Sequence, residues 1–275
     1  MAALLALVSA VAYGAADFLG GLATRRSTTI GAVVVTQATG LVALVIILPF
    51  LPPAHLDAAD ATWGVIAGVT GSVGVGLLYY GLAIGPMSVV APVCAVLVPV
   101  AAGLMFGERL TPMATIGIGL AILSVALIGQ DTHHEDGTRG VTALIRSRGF
   151  RIAVMSGIGI GAFLVALEPT SSEAGMLPIV VSRSNSTLLF GAFPIATGRP
   201  ATVPMRALWL ALACGGLDMA ANPLYLVAVR LGQLSLVATL AALYPASTVL
   251  LARVVLGERL SRAQLAGVAC AIISV

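Results

Sequence analysis

Three side chains in this sequence stand where a charge is expensive. Asp17, Arg183 and Asp218 each interrupt a long apolar stretch, and Glu168 ends another. On insertion scales an Arg or Asp at the middle of a membrane helix costs about 2.5–3.5 kcal/mol, so such groups seldom face lipid. Asp17 follows Tyr13 by one helical turn, which puts both on one face. A carboxylate there either holds a proton or a cationic ligand, serves as a structural partner for Arg183, or sits near the membrane edge with access to water. Asp218, Asn222 and Tyr225 recur at i, i+4 and i+7, and Pro223 among them frees a backbone carbonyl. Such a stripe faces a wet cavity or bonds a neighbouring helix. Arg183 lies within Ser182, Ser184, Asn185 and Ser186. Its guanidinium can grip a carboxylate or phosphate bidentately, or lock the structure by pairing with Glu168, Asp17 or Asp218. Tyr79 and Tyr244 offer aromatic faces suited to organic cations or flat rings, Tyr80 more weakly, and Gln37 adds a hydrogen-bonding amide.

The elements that must position these groups are membrane helices. The 275 residues are 59% hydrophobic and 9% charged, and mean hydropathy is +1.07. A soluble domain carries about a quarter charged residues. The apolar runs reach the length of about 20 residues that spans a bilayer, where backbone amides must be satisfied within the segment. A barrel would show alternating segments of about 10 residues instead. Ten spans are expected: 2–23, 30–50, 63–83, 87–106, 112–129, 151–168, 175–197, 207–229, 234–256 and 262–275. Turn chemistry marks the breaks at Leu51-Pro52-Pro53, Gly85-Pro86 and Thr197-Gly198-Arg199-Pro200. The glycine pairs Gly64/Gly68, Gly81/Gly85, Gly103/Gly107 and Gly157/Gly161 read as sites of close helix packing.

The two halves repeat. Gly107-Glu108-Arg109-Leu110 recurs as Gly257-Glu258-Arg259-Leu260, and residues 107–125 match 257–275 at nine of nineteen positions. Upstream, Gly85-x-x-Ser88-Val-Val-Ala matches Gly232-x-x-Ser235-Leu-Val-Ala. The chain therefore divides into a first five-helix repeat at 1–129, a polar linker at 130–150 and a second repeat at 151–275. An odd number of helices per repeat makes the second enter the membrane inverted, the plan of many secondary transporters, with the ligand held near midplane. The same register places the partner of Gly129 beyond Val275, so the tenth helix is expected to continue further than the sequence given.

All fourteen basic residues are Arg. Arg25, Arg26, Arg139, Arg146, Arg148, Arg151, Arg199, Arg206, Arg259 and Arg262 fall on one side of the ten-span plan. The positive-inside rule makes that side cytoplasmic and turns both termini outward. The scattered charge forms no nucleic-acid patch. Cys94, Cys214 and Cys270 lie in apolar runs and read as packing residues rather than a disulfide set or metal site. His133-His134-Glu135-Asp136 reads as solvated linker, and a nucleotide-binding P-loop is impossible without lysine. No cofactor is called for. A membrane enzyme would need a catalytic cluster, but His55, His133 and His134 are all in loops.

The duplicated Gly-Glu-Arg-Leu turns, each followed by a helix carrying Gly117 or Gly267, resemble the drug/metabolite transporter superfamily, in particular its ten-helix EamA-type members. Pro99, Tyr244-Pro245 and Arg183 add to the likeness. The resemblance implies an all-α integral membrane protein, two inverted five-helix repeats around a central cavity lined by spans 1, 3, 4, 6, 8 and 9, working by alternating access. Gln37 is a departure, standing where a counterpart of Arg183 is common, and family members often keep both termini in the cytoplasm. The implied activity is transport of a small metabolite across the cell's plasma or inner membrane, with protons as a candidate coupling ion. A flippase for a lipid-linked substrate is the alternative. Tyr13, Asp17, Gln37, Tyr79, Arg183, Asp218, Asn222, Tyr225 and Tyr244 are the expected substrate-contacting residues. The Gly-Glu-Arg-Leu turns are expected to cap adjoining helices. One chain holds both repeats, so a monomer suffices, and a dimer is left open.

Overall fold

The computed structural model describes residues 1–95, 116, 120, 123, 127, 146–167, 169–198, 200–231, 240 and 243–274. The fifth span, the later part of the fourth, the early part of the ninth, Glu168, the first Gly-Glu-Arg-Leu turn and most of the 130–150 linker lie outside them. Among the described residues the helices are α1 (Ala2–Arg25), α2 (Thr29–Ile47), α3 (Ala58–Ile84), α4 (Arg148–Leu167), α5 (Leu177–Thr197), α6 (Met205–Leu231), α7 (Tyr244–Leu256) and α8 (Arg262–Ser274). Residues 87–95 are also helical. Four of the described helices, α1, α2 (continued by a short 3₁₀ turn to Phe50), α3 and α4, are long and apolar enough to cross a membrane.

Helix α3 starts five residues before the apolar run that announces it. Asp57 caps it, accepting a hydrogen bond from the Asp60 amide at 2.7 Å, and a side-chain oxygen there satisfies one of the free amides of the first turn. Thr28 caps α2 in the same way, through the Gly31 amide at 3.2 Å. Helix α7 ends on Gly257, whose φ of +67° falls in the left-handed region where glycine alone is unstrained.

The most extensive packing joins helices from opposite halves of the chain: α3 with α4, α1 with α6, α3 with α5, α2 with α6 and α5, and α1 with α7. Small residues set these distances. A side chain on Gly159 would sit 2.8 Å from the Gly74 backbone, so α3 and α4 meet main chain to main chain. Gly64 and Gly68 face Pro178, Val181, Ser182 and Asn185 of α5, which bears out their reading as packing positions. Where glycine opens a gap, hydroxyls bridge to carbonyls across it: Ser156 to Gly74 at 2.8 Å, Thr248 to Gly14 at 2.9 Å and Ser9 to Ala221 at 2.9 Å.

The helix ends sort into two faces. On one, the Thr28 amide bonds the Thr202 carbonyl at 3.2 Å, and Arg25 reaches Gly85 and Glu258. On the other, the His55 amide bonds the Glu173 carbonyl at 3.0 Å, and Ser171 donates to Asp60 through its amide at 2.8 Å and its hydroxyl at 3.1 Å. The starts of α4, α6 and α8 carry Arg148, Arg206 and Arg262, so the first face is the Arg-rich one.

Candidate functional site

Three of the polar groups singled out in the sequence, Gln37, Arg183 and Asp218, meet where α2, α5 and α6 pack together. Arg183 of α5 donates through Nη2 to Asp218 Oδ2 of α6, a close ion pair, and through Nη1 to Gln37 Oε1 of α2 at 2.6 Å. Among the described residues the guanidinium is paired with Asp218 rather than Asp17, and Glu168 lies outside them. Gly40 makes room for it, since a side chain there would lie 3.3 Å from Nη1. Gln37 passes the network on, donating through Nε2 to Ser186 Oγ at 2.7 Å, and Ser186 meets Ser72 Oγ of α3 at 2.5 Å. Ser72 in turn donates to the Gly68 carbonyl of its own helix. Four helices are stitched together by one continuous set of hydrogen bonds, and Gln37, Ser186 and Ser72 are all buried. A buried polar group left unpaired costs about 1–3 kcal/mol, so the network specifies this packing.

Gln37 and Arg183 are more than neighbours. One from each half of the chain, they are directly hydrogen-bonded.

Asp17 of α1 stands apart from the network. Among the described residues no hydrogen bond or ion pair reaches it, although Asp218, Tyr79 and Tyr244 lie near enough to feel its charge. Tyr79 is buried, with its hydroxyl 3.1 Å from Cys214 Sγ of α6. Its ring lies over Gly20, where an added carbon would stand 2.6 Å from it. Tyr244 opens α7 beside α1, and Ser247 ties the two by bonding the Tyr244 carbonyl at 2.8 Å and the Ala10 carbonyl at 3.3 Å. Tyr13 is near Asp218, Arg183 and Tyr225. The Asn222 side chain donates to the Asp218 carbonyl one turn back at 2.7 Å. Tyr225, the last residue of that stripe, packs on the small apolar cluster of Ala6 and Ala228. Tyr80 is separate, with Arg148 over its ring at 5.8 Å.

Sequence reasoning missed Ser72 and reduced Cys214 to packing. Each is a single small residue in an apolar run, a pattern too common to signal a site. No group of three or more His, Cys, Asp or Glu side chains able to hold a metal occurs among the described residues.

Apolar helices from both halves of the chain pack together, and a part-buried ion pair lies between two of them. The EamA-like transporter family matches residues 1–130 and 148–275, and the chain belongs to that family, within the drug/metabolite transporter superfamily. It is thereby a multi-pass membrane protein of transporter type. An uncharacterised protein of Methanocaldococcus jannaschii is 30% identical over 130 residues, covering 46% of this chain and 95% of that relative, which is about half as long. A solved crystal structure of a protein superposes with a TM-score of 0.61 at 18% identity, over 99% of this chain and 94% of that one, a likeness of fold.

Proposed function

We propose that this chain is a secondary carrier of a small metabolite, working by alternating access around the cluster of Asp17, Arg183 and Asp218. The observation that supports this reading is their convergence from α1, α5 and α6, elements of both halves of the chain. Arg183 is paired with Asp218, so an ionised Asp17 brings a negative charge with no cation paired to it among the described residues. A proton or a cationic substrate neutralises it, and either can be the coupling event. Tyr13, Tyr79 and Tyr244 supply aromatic surface beside that charge, and Gln37, Asn222 and Tyr225 extend the polar lining. A gradient of protons or of the substrate itself drives the cycle. The repeats at 1–129 and 151–275, joined through 130–150, form the two halves that rock, in ten spans with the Arg-rich face cytoplasmic in the plasma or inner membrane.

Thermal-shift screening of the purified protein tests the reading, with amino acids, nucleobases, sugars, carboxylates and quaternary amines as ligands. A ligand bound only to the folded state at a hundredfold excess over Kd stabilises it by about 2.7 kcal/mol. A hit should then be taken up by proteoliposomes in a pH-dependent way, and Asp17→Asn should abolish that dependence. Uptake with unchanged pH dependence in folded Asp17→Asn protein would remove Asp17 from the mechanism. Absence of any hit across the panel would favour a lipid-linked substrate.

A further inference from the structure

Glu258 belongs to the second Gly-Glu-Arg-Leu turn, between α7 and α8, yet the helix it caps belongs to the other half of the chain. Its carboxylate accepts from the Met87 amide at 3.1 Å, the Ser88 amide at 3.0 Å and the Ser88 hydroxyl at 2.6 Å. These are the first amides of the helical segment 87–95, which have no intrahelical partner of their own. Arg25, at the end of α1, lies 3.6 Å away and donates to the Leu82 carbonyl at 3.1 Å and the Gly85 carbonyl at 2.8 Å, closing the end of α3. One carboxylate thus fastens the α7–α8 corner across to the α3 corner on the Arg-rich face. The Glu258 and Arg25 side chains keep 17% and 28% of their surface exposed. Water can therefore take over each donor and acceptor as the corners part, which makes the fastening reversible, in contrast to the buried Gln37–Ser186–Ser72 network.

We propose that Glu258 is the latch of a gate on the Arg-rich face, and that this face opens only when the carboxylate releases residues 87 and 88. The proposal rests on the alternating-access reading. An opening at this face exposes segment 87–95, which carries the buried Cys94, and the neighbouring buried Cys214 of α6. The two native thiols are therefore reporters that need no engineered site.

The test is mixed-disulfide labelling of Cys94 and Cys214 by a small, membrane-impermeant cationic thiosulfonate, with sulfinate as the leaving group, applied to the full chain in vesicles of each orientation and read by mass spectrometry. Glu258→Gln keeps the shape and loses the charge. It should raise labelling from the Arg-rich face about five- to thirty-fold, the change expected when charge-assisted hydrogen bonds are replaced by neutral ones. Labelling from the opposite face should fall, since a two-state protein gains one opening at the expense of the other. Ser88→Ala removes one donor and should shift both rates the same way by less. It decides the matter if Glu258→Gln does not reach the membrane. Unchanged rates, or a rise equal on both faces with a lowered Tm, overturn the latch and leave Glu258 a static brace. The assay needs no substrate. Shifted labelling without flux in proteoliposomes would sink the carrier reading and keep the latch, whereas unchanged labelling with intact flux would sink the latch alone.

Discussion

Removing either member of the Arg183–Asp218 pair should hurt more than removing both. Asp218→Asn leaves a guanidinium held only by Gln37 Oε1, and Arg183→Gln leaves a carboxylate with no cation beside it. Breaking one side of a buried pair typically costs about 3–5 kcal/mol, whereas replacing both partners by neutral groups is often close to neutral. The side chains are 18% and 25% exposed, so some water relieves the orphaned charge, and the lower end of that range, about 3 kcal/mol, is expected for each single variant. In a chain of this size that is a Tm drop of about 6–12 °C. The double variant, Arg183→Gln with Asp218→Asn, should recover at least half of it, because an amide pair can hydrogen-bond in the same place. Thermal unfolding of the four proteins in one detergent, closed as a double-mutant cycle, gives the coupling directly. A double variant no more stable than the worse single one would refute the claim that these two charges are each other's chief partners.

Other substitutions follow from close contacts. Gly20→Ala should cost about 1–3 kcal/mol, read by thermal unfolding, because the new methyl meets the Tyr79 ring and must push it off Cys214. Gly159→Leu should abolish stable expression or lower Tm by more than any other glycine change on α4, since the obstacle at Gly74 is backbone and cannot swing aside. Asp60→Ala should lose about 1–2 kcal/mol by the same measurement through its two bonds from Ser171, with Asp60→Asn retaining part of it.

Much of this architecture could be read from the residue order, because lipid leaves few options. An apolar run long enough to cross a bilayer must be a helix, so α1, α2 and α4 lie within a few residues of the expected spans. Helix α3 shows the limit: its apolar signal begins near Trp63, but its first turn is set by the Asp57 cap, whose Asp57-x-x-Asp60 spacing is visible only to a reader looking for it. Partner choice was the harder matter. Arg183 had three candidate acids, and its pairing with Asp218 depends on how α5 and α6 pack, which residue spacing does not encode. The i, i+4, i+7 stripe on α6 put Asp218, Asn222 and Tyr225 on one face, but spacing within one helix could not show that the Tyr225 end packs against Ala6 of α1. The Gly-Glu-Arg-Leu turn was expected to cap its adjoining helices. Gly257 does end α7, but Glu258 crosses to the other repeat, a contact that spacing within one repeat cannot reveal.

The meeting of Gln37 with Arg183 has a bearing on energetics. Were the two repeats identical, exchanging their conformations would return a state of equal free energy, and the carrier would rest half of the time facing each way. The match between the halves sets Gln37 opposite Arg183, and the same spacing sets Ser72 opposite Asp218. On the proposed inverted plan, one repeat therefore brings a full ion pair where its counterpart brings an uncharged amide and a hydroxyl. Under the alternating-access proposal, flipping the roles of the repeats relocates that charge relative to the two solvents, and the two orientations then differ in free energy. Under alternating access, the duplication supplies the motion and its imperfection supplies the resting preference.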